Sequence, residues 1–268
     1  MLADDAIAAR ARVALEHNLW SLWGCFGRGH DCRSYEDGGV HWFDTPIPER
    51  PYNGAYRCDP DAGTGAIERL VRHYAARGVP FTWIVHPSAA EAGLEAHLLR
   101  AGFTLSARFH GMYRRLANLP VPPAIPADVT LREVCDAEAR RAFHALVAFR
   151  WGLPASSAAR LPAVTSACQL GASGSATRCW LAWRGGRAVA KVVLHTHDHV
   201  AGLYGVVTLP EARGLGLARA LTLCALAEAR RHGCTMSVLH SSAMARAMYL
   251  AMGYQEGAGF SFFASPET

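Results

Sequence analysis

The residues best suited to chemistry form one short segment, Arg213-Gly214-Leu215-Gly216-Leu217-Ala218, between a predicted strand and a predicted helix. The first turn of a helix carries backbone N–H groups without partners and a partial positive charge, so it attracts anions. Gly214 and Gly216 let phosphate oxygens approach the backbone, and Arg213 and Arg219 can add charge-assisted hydrogen bonds. The segment therefore predicts a pyrophosphate site. The third glycine and downstream acid of a Rossmann fingerprint and the Gly-Lys-Ser/Thr of a P-loop are all missing, which excludes those two classes.

A second motif follows one helix and one strand later, and the pair resembles a known family. Arg213-x-x-Gly216-x-Ala218, after a strand ending Thr208-x-Pro210, resembles the acetyl-CoA signature of the GNAT N-acetyltransferases. Ser242-x-x-Ala245-x-x-Met248-Tyr249-x-x-x-Gly253-Tyr254 resembles that family's second signature, at the expected separation. The resemblance covers roughly residues 129–264. It implies a GNAT fold and an acyl transfer from acetyl-CoA.

The resemblance also implies site residues. Tyr249 would be the general acid that protonates the departing CoA thiolate, since a phenol is protonated at neutral pH. Acetyl-CoA would be the co-substrate, with no metal. Its pantetheine arm and pyrophosphate would be held by Val206, Val207, Thr208, Arg213, Gly214, Leu215, Gly216, Leu217, Ala218, Arg219 and Ser242.

Two departures from the family pattern weaken parts of this assignment. The family commonly has Asn where this chain has Ser242, a good N-cap with a shorter reach. The strand over residues 202–208 carries no carboxylate, although many members place a general base there. A base must come from elsewhere, and the candidates are His195, His197 and His240, because imidazole titrates near neutrality. A water chain is the alternative.

Further candidates are weaker. Arg150 and Trp151 lie between the first two helices of the second half, where the family usually forms its acceptor wall, and they are the candidate acceptor contacts. His195, His197 and His199 alternate, so one face of a strand would carry all three. This pattern allows a metal site but reads better as a polar hairpin tip.

The elements that position these residues alternate between strand and helix. A proline-rich segment, residues 117–127, divides the chain into a first module at 1–116 and a catalytic domain at 128–268. Alternation predicts a mixed α/β fold, and the resemblance makes it a mostly antiparallel sheet flanked by helices. In the second half, strands are predicted at 130–133, 179–183, 188–195, 202–208, 236–240 and 260–264, and helices at 136–149, 215–232 and 243–252.

The first half repeats the order of the second. A helix at 64–76, a strand at 81–85, His86-Pro87-Ser88, a helix at 89–100 and Gly102-Phe103 match their counterparts in the second half. A pseudo-repeat, that is a tandem GNAT, is the economical interpretation, against two unrelated α/β pieces. Asp61-Ala62-Gly63 stands where a phosphate loop would be, and Leu98 where Tyr249 stands. We expect the first module to be degenerate, serving as a scaffold and as one wall of the acceptor pocket.

Composition narrows the remaining classes. The formal charge is +5, but no run of basic residues occurs, so nucleic acid is not an expected partner. The eight cysteines form no C-x-x-C pair, which favours free thiols in a reducing cytoplasm. No signal peptide or membrane span is expected. Arg-rich, Lys-poor usage points to a bacterial source, and a monomer or homodimer is expected.

The sequence thus predicts an acetyl-CoA-dependent N-acetyltransferase acting on an amine of a small-molecule acceptor by direct attack. Two alternatives stay open: a non-catalytic acyl-CoA-binding regulator, and an enzyme of natural-product assembly that uses the same frame with another acyl-CoA. The sequence does not name the acceptor.

Overall fold

A computed structural model describes residues 2–62 and 65–266. In the first half these residues form α1 (Leu2–Phe26), β1 (Arg33–Asp37), β2 (Val40–Asp44), β3 (Gly54–Cys58), α2 (Gly65–Arg77), β4 (Thr82–Val85), α3 (Pro87–Glu91), α4 (Leu94–Arg100) and β5 (Thr104–Arg115). The second half contains β6 (Val129–Glu133), α5 (Ala137–Trp151), α6 (Ala155–Ala158), α7 (Leu161–Val164), β7 (Thr177–Arg184), β8 (Arg187–His197), β9 (Val200–Thr208), α8 (Leu217–Arg231), β10 (Met236–Ser241), α9 (Ala243–Ala251), β11 (Gln255–Glu256) and β12 (Phe260–Ala264).

The strands join in one mixed sheet in the order β1-β2-β3-β4-β12-β5-β10-β9-β8-β7-β6, with β11 beside β5. Helices pack against it, so the predicted mixed α/β class is confirmed. Among the described residues, only β3–β4 and β9–β10 pair in parallel, and they hold corresponding places in the two halves. This agrees with the predicted pseudo-repeat.

The two halves exchange their last strands. The C-terminal strand β12 lies between β4 and β5 of the first half, and β5 in turn pairs with β10 of the second half. Residues 117–127 contain neither helix nor strand, as the prolines predict. The boundaries 1–116 and 128–268 remain a prediction, because backbone hydrogen bonds of the sheet cross them.

All nine elements predicted in the second half are present, and their ends lie within two residues of the predicted ones. The β7–β8 hairpin turns at Gly185-Gly186, where φ is +55° and +76°. The predicted helix at 89–100 is wrong as one element: it breaks into α3 and α4 because Gly93 adopts a φ of +83°. The predicted start of the first-half helix at Thr64 lies outside the described residues.

The long helix α1 was not predicted. It contacts strands of both halves, and Leu15 and Leu19 pack in one cluster with Val200, Val238 and Phe260. Its buried face also contains Glu16 and Asn18, which interrupt the apolar pattern that would announce a helix. No helix within the described part of the chain is long and apolar enough to cross a membrane.

Candidate active site

Strands β9 and β10 separate halfway along their length. Their parallel pairing covers Val200–Leu203 opposite Met236–Leu239 and then stops. Beyond it, β9 continues to Thr208 along β8 alone, while β10 continues along β5. The edge of β9 that faces β10 is therefore unpaired over residues 204–208. This unpaired edge contains Val206, Val207 and Thr208, which the family resemblance implies as residues that hold the CoA arm.

A β-bulge in β9 sits at the mouth of this gap. The register against β8 shifts between Lys191 and Val193, and Gly205 has a φ of +53°. The ammonium of Lys191 donates a hydrogen bond to the Gly205 carbonyl at 2.7 Å. The positive φ of Gly205 favours glycine at the bulge, and a Cβ there would lie 2.8 Å from that nitrogen, so the Lys191 side chain would have to shift.

The segment predicted to bind phosphate, residues 213–218, has the features of an open anion site. Gly214 and Gly216 have φ values of +78° and +74°, and no atom comes within 4 Å of a Cβ built at Gly214. Gly216 is the N-cap of α8, so no side chain caps the first-turn N–H groups of that helix. The Nε atom of Arg219 is buried and lacks a hydrogen-bond partner among the described residues. A pyrophosphate would satisfy these donors.

A cavity of about 170 Å³ lies at the gap and brings predicted residues together. Its walls include Tyr249, His240, Val206, Arg150 and Trp151. Ser242 also lines it, as the N-cap of α9, and its side chain caps no backbone group of that helix. The guanidinium of Arg150 lies 4.7 Å from the Trp151 ring centroid, so both face the same space.

Tyr249 suits proton donation. Its side chain is 4 % exposed, and its hydroxyl makes no hydrogen bond to another described residue. Burial raises the pKa of Tyr249 above its ordinary value. The phenol therefore stays protonated at neutral pH.

His240 lines the same cavity as Tyr249, and burial keeps it neutral as well. Its Nε2 atom is buried without a hydrogen-bond partner among the described residues, and its ring meets Phe260 edge-on at 4.1 Å. Burial lowers the pKa of His240 to about 3. The imidazole is neutral at pH 7, and its Nε2 is free to pair with a ligand group.

In the first half, a histidine closes the corresponding gap between β3 and β4. His86 ends β4 as His240 nears the end of β10, and its Nε2 accepts the backbone N–H of Cys58 on β3 at 3.2 Å. Its Nδ1 contacts the Ser88 hydroxyl at 2.8 Å. This histidine bridges the two strands, whereas its counterpart in the second half leaves them apart. Leu98, in the place of Tyr249, is fully buried in the core of the first half.

His195 lies outside this site, which corrects its selection as a base. Its Nδ1 contacts the Thr177 hydroxyl at 2.8 Å and its Nε2 contacts the Ser21 hydroxyl at 2.9 Å. Both nitrogens are occupied, and burial lowers the pKa of His195 to about 4. His199 lies in the tight turn between β8 and β9 with a φ of +58°, as the hairpin interpretation predicts. Within the described residues, no three His, Cys, Asp or Glu side chains converge as metal ligands.

Three residues of the site were missed. Lys191 is buried at the junction of β8 and β9, and burial lowers its pKa to about 8. Tyr204 lines the cavity and donates its hydroxyl to Asn18 of α1 at 2.8 Å. A lysine inside the apolar run Ala188-Val-Ala-Lys-Val-Val-Leu194 was a usable signal. The sequence contains no signal that predicts the contact between Asn18 of α1 and Tyr204 of β9.

Comparison with known proteins agrees with this geometry. Residues 146–254 match the model of the acetyltransferase (GNAT) family. A GCN5-related N-acetyltransferase from Kribbella flavida superposes with a TM-score of 0.69 at 21% identity, over 94% of this chain and 95% of that one. A tandem GNAT protein from the clavulanic acid biosynthesis pathway gives 0.58 at 17% identity, over 85% and 78%. A GCN5-related N-acetyltransferase from Sphaerobacter thermophilus gives 0.57 at 17%, over 87% and 75%. No curated protein matches the sequence.

Proposed function

We propose that the chain transfers an acetyl group from acetyl-CoA to an amine of a small-molecule acceptor, a function supported by the match of residues 146–254 to the GNAT acetyltransferase family model. The observation that carries the proposal is one continuous arrangement. The start of α8 has no side-chain cap, and Arg213 of the preceding loop donates to the Thr208 carbonyl at the end of β9 at 3.4 Å. Val206, on the unpaired edge of β9, lines the cavity that contains Tyr249.

The residues would divide the work of binding as follows. The first turn of α8, with Gly214, Gly216 and Arg219, would hold the pyrophosphate. The backbone of Val206, Val207 and Thr208 would hold the pantetheine arm as an additional strand would. The closed gap beside His86 argues that the first module binds no CoA and acts as a scaffold.

Transfer then takes place in one displacement. The amine nitrogen forms a bond to the thioester carbon, and the carbon–sulfur bond breaks. A backbone N–H of the unpaired edge of β9 would polarise the thioester carbonyl. Tyr249 would donate its proton to the leaving thiolate. Holding both reactants in one cavity removes most of the entropic cost of their encounter.

The proton leaving the amine needs an acceptor, and His240 fits best. Its Nε2 atom has no hydrogen-bond partner among the described residues, and the residue lines the cavity. Burial lowers the pKa of His240 to about 3, so it would be a weak base that holds the proton only briefly before water takes it up. Lys191 would hold the Gly205 bulge in shape through its hydrogen bond and would add positive charge nearby.

The proposal is tested by placing a charge at the start of α8. Ala218→Glu adds a carboxylate where the pyrophosphate would bind, while a first-turn Glu is itself favourable for the helix. We expect acetyl-CoA to bind at least about tenfold more weakly, a loss of about 1.4 kcal/mol. Ala227→Glu, in the same helix and also half-buried, is the matched control. Its affinity should stay close to that of the unmodified protein in isothermal titration calorimetry.

Equal affinities for the two variants would refute the assigned CoA site. Binding of acetyl-CoA without release of free CoA thiol, across a panel of amines, amino acids, polyamines and antibiotics, would instead indicate the non-catalytic regulator.

A further inference from the structure

A second cavity, of about 160 Å³, adjoins the site and is built by both halves of the chain. The first half contributes Leu22, Trp23 and Phe26 of α1 and the loop residue Tyr52. The second half contributes Val147 and other residues of α5, β8 and β9. We call it the inner cavity.

The inner cavity and the cavity at the gap meet at shared walls. Trp23, Trp151, Lys191, Tyr204 and Gly205 line both. A molecule seated in the inner cavity can therefore present one end at the Gly205 bulge, beside Tyr249 and His240. This places an acceptor's body in the inner cavity and its nucleophile at the gap.

The walls of the inner cavity are chemically selective. Most are aliphatic or aromatic, and both threonine hydroxyls that reach them already have partners, which leaves the Tyr52 hydroxyl and the Lys191 ammonium as the main polar groups. Thr165 donates to the Leu161 carbonyl at 2.8 Å, and Thr177 contacts His195 at 2.8 Å. A polar group on a ligand would find few partners there, and burying it unpaired is costly. The cavity favours an apolar body.

The charged residues around the two cavities narrow the class of acceptor further. No aspartate or glutamate of the described residues lines either cavity, while Lys191 lines both and Arg150 lines one. A ligand with several ammonium groups would meet these cations without a compensating carboxylate. A single amine approaching Lys191 is favoured in its neutral form, which is the nucleophilic one.

The volume of the inner cavity limits the size of the acceptor. A protein cavity of about 150 Å³ with apolar walls binds benzene, so one of about 160 Å³ holds one six-membered ring or its aliphatic equivalent. We infer that the acceptor is a monoamine whose body is apolar and about the size of a phenyl ring, bound between the two halves of the chain. This inference rests on the proposed function.

The test compares acceptors by the release of free CoA thiol. With acetyl-CoA saturating, 2-phenylethylamine should give a kcat/KM at least about tenfold above those of spermidine and kanamycin, in line with the selectivity of apolar pockets. Higher kcat/KM for either polycation would overturn the inference.

Variants of Val147 test the location of the pocket. Val147→Phe should fill the inner cavity and lower kcat/KM for 2-phenylethylamine at least about tenfold, with acetyl-CoA affinity unchanged. Val121→Phe, at a linker residue 84% exposed, is the control and should change neither. Val147→Ala, which enlarges the cavity, should raise the activity with tryptamine relative to 2-phenylethylamine. Folded Val147 variants that leave these preferences unchanged would refute the location.

Direct binding separates the two proposals. If no amine gives CoA release and acetyl-CoA does not bind, the proposed function fails. The inner cavity is then judged by calorimetric titration with 2-phenylethylamine alone. Binding that Val147→Phe abolishes supports an apolar monoamine pocket, and absence of binding to the unmodified protein refutes it.

Discussion

Two buried tyrosines five residues apart allow a sharp test of the chemistry. The rings of Tyr249 and Tyr254 lie 5.6 Å apart near the end of α9 and are nearly equally buried. Their hydroxyls differ. That of Tyr254 shares a hydrogen bond of 2.7 Å with Ser237, whereas that of Tyr249 has no partner among the described residues and lines the cavity.

Tyr249→Phe should impair turnover and leave the fold intact. The ring remains and no buried group loses a partner, so the free energy of unfolding should change by less than about 0.5 kcal/mol. A general acid contributes roughly 10²-fold or more, so kcat should fall by about that factor, or about 2.7 kcal/mol in the barrier. Acetyl-CoA affinity should remain unchanged.

Tyr254→Phe should do the reverse. It leaves the Ser237 hydroxyl unpaired in a place that is 0% exposed, at a cost of about 1–2 kcal/mol. The melting temperature should drop by roughly 3–6 °C, with kcat within about twofold. Steady-state CoA release and scanning calorimetry measure the two effects. A kcat for Tyr249→Phe within about threefold of the unmodified protein, or an equal kcat loss in both variants, would refute the role of Tyr249.

Two stability predictions follow from residues that the sequence did not single out. Burial lowers the pKa of Lys191 to about 8, below the unfolded value of about 10.4, so the folded state loses this proton first as the pH rises. Urea titrations of the unmodified protein and of Lys191→Met give the difference between their free energies of unfolding. From pH 8 to pH 10.5 this difference should rise by about 3 kcal/mol in favour of the unmodified protein. A difference that does not change with pH would contradict the lowered pKa. Asn18→Leu removes the partner of Tyr204 and two bonds to the carbonyls of His195 and Val200, and should cost about 3 kcal/mol. Val13→Leu, at an exposed position of α1, is the control and should cost less than about 0.5 kcal/mol. Equal losses of unfolding free energy in the two variants would show that the Asn18 hydrogen bonds do not stabilise the β8–β9 hairpin.

Local signals were enough for much of this protein. Glycines, prolines and β-branched runs gave the hairpin at Gly185-Gly186 and the helix α8, because turns and helix ends depend on a few neighbouring residues. The spacing of Arg213, Gly216 and Tyr249 gave the resemblance to the GNAT family, whose model residues 146–254 match. These features lie close together in the chain, so the sequence displays them directly.

Tertiary structure decided what depends on distant residues. The exchange of β5 and β12, the placement of Asn18 beneath β9 and the inner cavity between α1 and α5 join segments more than a hundred residues apart. His195 and His240 look equally suited in sequence, yet neighbours from α1 and β7 occupy both nitrogens of the first. An unpartnered ring nitrogen, a lowered pKa or an open gap between strands results from packing between such segments. Local sequence contains no record of that packing.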